Sequence, residues 1–287
     1  MFVATLAQQR KRDREIQMSS ALERAFQALE LLSTRPSGCP LSTLASELDI
    51  PLSASHRLLA ELIKCGYVRQ NPQDGQYVLT IKLVSVGLSF LSASGIVDVA
   101  QPLLDNLASV SGDLVRLAVV DGEDLTFVAK AQGATRGLRY DPDMGQDARF
   151  SCSASGWAWL STLSDEQALE LVARQGFGSR EEFGPNAPTT VAELLERLQQ
   201  TRARGFAVTV ETFTQGMTAM AAPVRRGSQQ AIGCISVAGP AFRFTEERML
   251  AMGEELMRVA AELAAISGSS PLFYAPPRDA RHVIVST

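Results

Sequence analysis

Between Leu41 and Val68 the chain reads LSTLASELDIPLSASHRLLAELIKCGYV, two amphipathic runs divided at Pro51. In the second run Ser55, Leu58, Leu59, Leu62 and Ile63 recur at i, i+3, i+4 and i+7, the spacing of a helix buried along one stripe. Ser53, Ala54, His56, Arg57, Ala60, Glu61 and Lys64 then face outward. Proline suits the start of such a helix, and Gly66 stands where its end favours glycine. The first run makes a shorter helix capped by Ser42, with Leu44, Ala45 and Leu48 turned inward. Upstream, Ser20 and Glu23 have the S-x-x-E spacing that satisfies free amides at a helix start. Leu22, Ala25, Phe26, Leu29 and Leu32 keep helical period from there until Pro36, Gly38 and Pro40 break it. Downstream, Tyr67–Gln70 and Gln76–Leu79 alternate around an Asp-Gly turn, a hairpin signal. Helices closed by such a hairpin predict a winged helix-turn-helix, whose third helix enters the DNA major groove by its N-terminal end.

The remainder predicts a different architecture. Lys82 to Ser94 reads as an apolar linker helix and Val97 to Ser111 as a second helix. Leu114–Val120 and Leu125–Ala131 are strands flanking the turn Asp121-Gly-Glu-Asp124, and a helix is expected from Cys152 to Leu163. Ser164-Asp-Glu-Gln167 and Thr190-Val-Ala-Glu193 are capping boxes, each opening a helix. Strands follow at Phe206–Val210, Thr218–Val224 and Ile232–Ala238, then one long helix from Thr245 to Ile266.

At 287 residues and 46% hydrophobic, the chain can bury sizeable cores and is expected to form two domains. Its 27 basic and 31 acidic residues leave a net charge of −4, so any contact with nucleic acid must be local. Residues 10–14 supply a basic cluster, Arg10, Lys11, Arg12 and Arg14, in an expected flexible tail. The four cysteines form no CxxC pair and read as small buried hydrophobes of a reducing compartment. No apolar run approaches the roughly 18 residues that span a bilayer, so the expectation is a cytoplasmic protein without membrane contact.

Catalysis finds little support. The segment SCSASG lacks the G-x-S-x-G glycines, and beyond residue 97 the only imidazole is His282. With two histidines and dispersed cysteines, no metal site, catalytic residue or cofactor is expected.

On these residues the chain resembles the IclR-type bacterial transcriptional regulators. The resemblance covers about residues 19–268 and rests on several segments in order. They are ALERAFQALELL, LSTLASELDIPLSASHRLLAELIKCGYV, DGQYVLTIKLVSVG, LAVVDGEDLTFV, SCSASGWA, RARGFAVTVETFTQGMTAMAAPV and CISVAGPAFRF. It implies an α+β organisation. A tail (1–18) precedes a winged helix-turn-helix (19–81), a linker helix (82–96), a GAF-like α/β effector domain with an antiparallel sheet (97–268), and a second tail (269–287). It also implies a homodimer or homotetramer.

Within that frame Ser53, Ser55, His56 and Arg57 are the expected base readers, with Lys64 on the same outward face. Ser42 and Thr43 would meet phosphates, and Arg69 and Lys82 the backbone beside the wing. The resemblance places the effector pocket at Ser151, Ser153, Gly156 and Trp157, with further walls from Leu138, Tyr140, Thr209, Glu211, Ala219 and Ser236. Relatives often carry an acidic residue at the position of Thr209, a cysteine at Ala219 and a serine at Ala238. The apolar replacements imply a less polar ligand, an aromatic acid being one form, with Trp157 or Tyr140 stacking on it. The other reading of Trp157 is plain core. The rival to an effector-responsive regulator of double-stranded operator DNA is an architectural protein whose C-terminal half only dimerises.

Overall fold

The computed structural model describes residues 21–142 and 147–267, the side chains of residues 96 and 97 apart. The expected tails, Ser20 of the first capping box and His282 lie outside the described residues. The chain divides into two compact units, with the division between Phe90 and Leu91.

The first unit contains α1 (Ala21–Ser33), α2 (Leu41–Glu47), α3 (Leu52–Lys64), β1 (Val68–Gln70) and β2 (Tyr77–Leu79). The helix α4 (Ile81–Ser94) begins in this unit and runs past its boundary. Ala28, Leu29, Leu32, Leu44, Leu59, Leu62, Val68 and Tyr77 form one buried cluster. Burying the stripe of an amphipathic helix against its neighbours, rather than propensity, is what holds helices this short. Cys39 adds a third-strand bridge to the wing, exchanging backbone bonds of 3.0 and 2.9 Å with Tyr77. Contrary to expectation, Ser42 does not cap α2. The helix begins two residues earlier, behind Pro40, whose φ of −72° is already set for the turn, and no side chain caps it.

Between α2 and α3 the backbone turns through Asp49 at φ 49°. Aspartate tolerates this left-handed region better than most residues. The 3.1 Å bond from Ile50 N–H to the Ala45 carbonyl closes the turn. On α3, Ser55, Leu59 and Leu62 are buried and Leu58 is half-buried, whereas Ile63 is exposed. Gly66, at φ +80°, ends the helix with a bond from the Tyr67 amide to the Leu62 carbonyl at 3.0 Å.

The second unit contains α5 (Ile96–Ser111), β3 (Leu114–Asp121), β4 (Asp124–Gln132), α6 (Ala154–Leu160), α7 (Asp165–Gln175) and α8 (Val191–Arg204). It continues with β5 (Ala207–Val210), β6 (Met217–Val224), β7 (Gly233–Pro240), α9 (Glu246–Ala251) and α10 (Gly253–Ile266). The strands form one five-stranded sheet, ordered β4-β3-β7-β6-β5 and antiparallel throughout. The two units thus give the expected fold class, a winged helix-turn-helix followed by an α/β domain on an antiparallel sheet.

The sheet is asymmetric in side-chain size. One face carries Val115, Leu117, Val119, Met220, Ile235 and Val237, packed with Leu104 and Leu107 of α5 and Leu256, Val259 and Leu263 of α10. The other carries Ala118, Ala207, Ala221 and Cys234, packed with Trp157 and Leu160 of α6, Leu171 of α7, and Leu194 and Leu198 of α8. Small residues there let α6 approach and leave room at one end of the face.

Three local differences from the sequence reading have physical causes. The helix expected from Cys152 is shorter, because Ser153 caps α6 by accepting the Gly156 N–H at 3.0 Å. The helix expected to run unbroken from Thr245 breaks at Met252. There Gly253 lies so close to Phe206 that a Cβ would stand 2.4 Å from the ring. A β-bulge between Leu117 and Ala118 leaves Val128 as an extra residue on β4. Among the described residues no single helix is long and apolar enough to cross a membrane.

Candidate DNA-reading face and ligand cavity

The N-terminal turns of α3 leave Ser53, His56 and Arg57 exposed together, with Lys64 exposed at the far end and Arg69 on the wing. Ser42 is exposed and Thr43 half-buried at the start of α2. Two of the expected contacts are otherwise committed. Ser55 is 0% exposed because it opens the buried stripe, and its Oγ has no hydrogen-bond partner among the described residues. Lys82 donates through Nζ to the Cys65 carbonyl at 2.7 Å, with the ammonium 4.8 Å above the Tyr67 ring, so its charge serves the end of α3. Lys64 lies 3.7 Å from Glu61. Leu22, Phe26, Leu58, Leu83 and Val86 border an apolar groove in this unit, with Arg57 at its edge.

In the second unit a small cavity, part of it open to solvent, lies where the small-residue face of the sheet meets the start of α6. Of the expected pocket residues, Tyr140, Ser153, Thr209, Ala219 and Ser236 line it. The others do not. Leu138 is 60% exposed, and its carbonyl accepts from Arg243 Nη1 at 2.8 Å. Ser151 is buried and gives its hydroxyl proton to the Phe177 carbonyl at 2.8 Å. Gly156 packs against the Arg149–Phe150 backbone, where a Cβ would stand 2.6 Å from the Arg149 carbonyl oxygen. Trp157 is 2% exposed and donates Nε1–H to the Ser151 carbonyl at 2.9 Å, so it is core rather than a stacking surface. Glu211, at φ 51°, uses Oε1 to accept the Gly216 amide at 2.7 Å and shapes the turn before β6.

The sequence reading missed Arg116, Phe127, Asp147, Arg149 and Ser155, all of which line the cavity. One signal was available: Arg116 interrupts the apolar strand LVRLAVV. On the sheet it stands opposite Ser236 of β7 and Lys130 of β4. The bulge brings Phe127 beneath it, with the guanidinium carbon 3.6 Å from the ring centroid. Burial pulls the Arg116 pKa below its ordinary value, the neighbouring Tyr140 opposing, yet a guanidinium starting so high stays charged. Burial likewise pushes the Tyr140 phenol up, against the Arg116 charge and the Thr214 side chain. Behind the cavity wall, burial raises the Cys152 thiol to about 11.

Comparison with known proteins bears on both regions. The family model described as IclR helix-turn-helix domain matches residues 21–72, and that described as Bacterial transcriptional regulator IclR C-terminal matches residues 88–265. Transcriptional repressor IclR of Escherichia coli (strain K12) is 29% identical over 249 residues, 86% of this chain and 90% of the repressor. The crystal structure of an IclR transcriptional regulator from Alicyclobacillus acidocaldarius superimposes with a TM-score of 0.76 at 22% identity, covering 88% of this chain and 100% of that one. An IclR homologue from Microbacterium hydrocarbonoxydans, complexed with 4-hydroxybenzoate, gives a TM-score of 0.71 at 19% identity over 88% of this chain and 100% of that one.

Proposed function

The chain belongs to the IclR family of bacterial transcriptional regulators, and from that premise we propose that it is a one-component, cytoplasmic regulator that couples a small organic acid to operator binding. The observation that carries this reading is the division of labour between the units. Ser53, His56 and Arg57 stand exposed on the first turns of α3, and a cavity partly open to solvent lies in the other unit. Arg57 can fork onto the O6 and N7 of guanine, and His56 can donate to a base or phosphate. Ser42, Thr43 and Arg69 then fix the register through the DNA backbone.

A nearly neutral reading unit gains affinity by acting in pairs. Among the exposed large hydrophobics of α4, Ile81, Val84 and Leu88 fall on one side and Val86 and Phe90 on the other, and a second copy would cover the Val86 and Phe90 side. The resulting dimer reads an inverted repeat with half-sites one helical turn apart, roughly 34–36 Å, or a multiple of it. The apolar alanines at 219 and 238, with Phe127, suit an aromatic acid in the cavity, and the 4-hydroxybenzoate complex of the Microbacterium homologue supports that class. α4 links the two units, and ligand binding acts through it on the two reading heads. The coupling is of the usual size, about 1–3 kcal/mol.

Selection of duplex DNA from a random pool at fixed near-physiological salt tests the reading, with the double variant His56→Ala/Arg57→Ala run in parallel. An inverted repeat emerges for the wild type and is lost by the variant. If the variant selects the same sequence, the assignment of α3 as the reading helix fails.

A further inference from the structure

The cations around the cavity are not treated alike. Lys130, directly across from Arg116 on β4, is held by Asp141 at 2.6 Å. Arg149 is paired with Glu182 at 3.3 Å and lies over the Phe183 ring. Asp147, the carboxylate on the cavity wall, accepts from the Thr126 hydroxyl at 2.6 Å. Arg116 has no acidic partner among the described residues, and its Nε is buried without a hydrogen-bond acceptor. A charge shielded from water in this way is unfavourable unless an opposite charge meets it.

Its surroundings leave the terminal donors usable. The Phe127 ring covers one flat face of the guanidinium, which is where a cation–π contact forms. The N–H donors lie in the guanidinium plane and are not consumed by that contact. The two hydroxyls beside it on the sheet offer an anion little. Thr209 gives its proton to the Ala219 carbonyl at 3.1 Å, and Ser236 gives its proton to the Arg116 carbonyl at 3.4 Å. Charge recognition therefore falls to the arginine, whose fork matches a carboxylate with two parallel N–H···O bonds.

We infer that Arg116, seated on Phe127, is the residue that selects the ligand by charge, and that the cavity takes a single-ring carboxylic acid with its carboxylate against the two terminal nitrogens of Arg116. The inference rests on the reading of this cavity as the effector site. It adds that an uncharged isostere is rejected, because an amide brings no negative charge to the buried cation.

Calorimetric titration of the full chain with benzoate and with benzamide tests this, in the wild type, Arg116→Gln and Arg116→Lys. Benzoate is expected to bind the wild type at least tenfold more tightly than benzamide. Arg116→Gln should erase that preference by weakening benzoate tenfold or more, while Arg116→Lys keeps the preference but binds benzoate less tightly. The ligand-free Arg116→Gln protein should melt no lower than the wild type, which a merely structural arginine would not allow. If benzoate binds wild type and Arg116→Gln within twofold, the cavity remains a ligand site and the role of Arg116 falls. Equal binding of benzamide and benzoate to the wild type overturns it too, and needs no variant to fold. If neither probe binds while the selected duplex is still bound, the inference falls together with the acid-sensing half of the functional reading, and the DNA-reading half stands.

Discussion

The guanidinium of Arg243 holds the buried carboxylate of Asp113 through two bonds to Oδ1, 2.9 Å from Nε and 2.6 Å from Nη2. Asp113 is 1% exposed, and its second oxygen has only Arg248 nearby, at 3.8 Å. Removing one partner of a buried pair costs about 3–5 kcal/mol, because the other charge is left in place. Arg243 is partly solvated, so Arg243→Ala is expected to lower stability by roughly 2–4 kcal/mol in urea unfolding of the ligand-free protein. Gly239 closes the other side of the carboxylate, where a Cβ would stand 2.4 Å from Oδ1. Gly239→Ala should therefore destabilise as well, and a loss too small to measure in both variants would show that Asp113 tolerates rearrangement.

Ser55→Ala should have the opposite sign. The hydroxyl is buried with no partner, so replacing it removes a desolvated polar group and leaves nothing unpaired. We expect a gain of up to about 1 kcal/mol, with affinity for the selected duplex unchanged. Loss of duplex binding in a stably folded Ser55→Ala protein would return this residue to the DNA interface.

The Cys152 thiol gives a pH dependence. Burial raises it from the ordinary 9.0 to about 11, so the folded chain keeps its proton where the unfolded chain loses it. Stability contributed by this group is present below pH 9 and declines as pH rises through that window. Cys234 shifts in the same direction, also through burial. Melting temperatures of wild type and Cys152→Ala, compared between pH 8 and 10.5, should converge as pH rises. Parallel curves would show that Cys152 is not desolvated as described.

Gly156→Ala probes the seat of the cavity wall. The new methyl would stand 2.6 Å from the Arg149 carbonyl oxygen and 2.7 Å from the Phe150 Cα, both backbone atoms with little freedom to yield. Overpacking of this kind costs about 1–3 kcal/mol. Because Arg149, Ser153 and Ser155 line the cavity, ligand affinity should fall along with stability. Unchanged benzoate binding would mean that α6 can move without disturbing the site.

Phe90→Glu tests the dimer. If the side of α4 that carries Val86 and Phe90 is covered by a second copy, a carboxylate there shifts the sedimentation equilibrium towards monomer and weakens operator binding through loss of the paired reading heads. A variant that stays dimeric would move the interface elsewhere.

The sequence made the first unit legible because its signals are local. The α3 stripe, Gly66 after it and the Asp-Gly hairpin each act over a few residues, and the structure places them as read except for Ile63, which the stripe included and the fold leaves exposed. The cavity was legible only in part. Tyr140, Ser153, Thr209, Ala219 and Ser236 line it, but Arg116 enters through strand register, which brings β3 beside β7, and through a bulge that no periodicity announces. Trp157 was ambiguous for a related reason. A tryptophan beside a capping serine can line a cavity or turn into the core, and the Ser151 carbonyl that takes its N–H decides the matter. The break at Met252 was hidden because the apolar period continues across it while the contact that marks it, Gly253 on Phe206, is 47 residues distant in sequence (253 − 206).

The bonds at the exit of α3 have a mechanical consequence. Lys82 reaches back to the Cys65 carbonyl at 2.7 Å, and the Thr80 hydroxyl donates to the Gly66 carbonyl at 2.6 Å. These bonds tie the start of α4 to the residues that close α3, across the span of the wing. A twist applied to α4 is passed to the end of α3 through these two bonds. A few degrees of rotation at the joint would swing Ser53, at the far end of a helix about 20 Å long by its rise per residue, through an arc of an ångström or more.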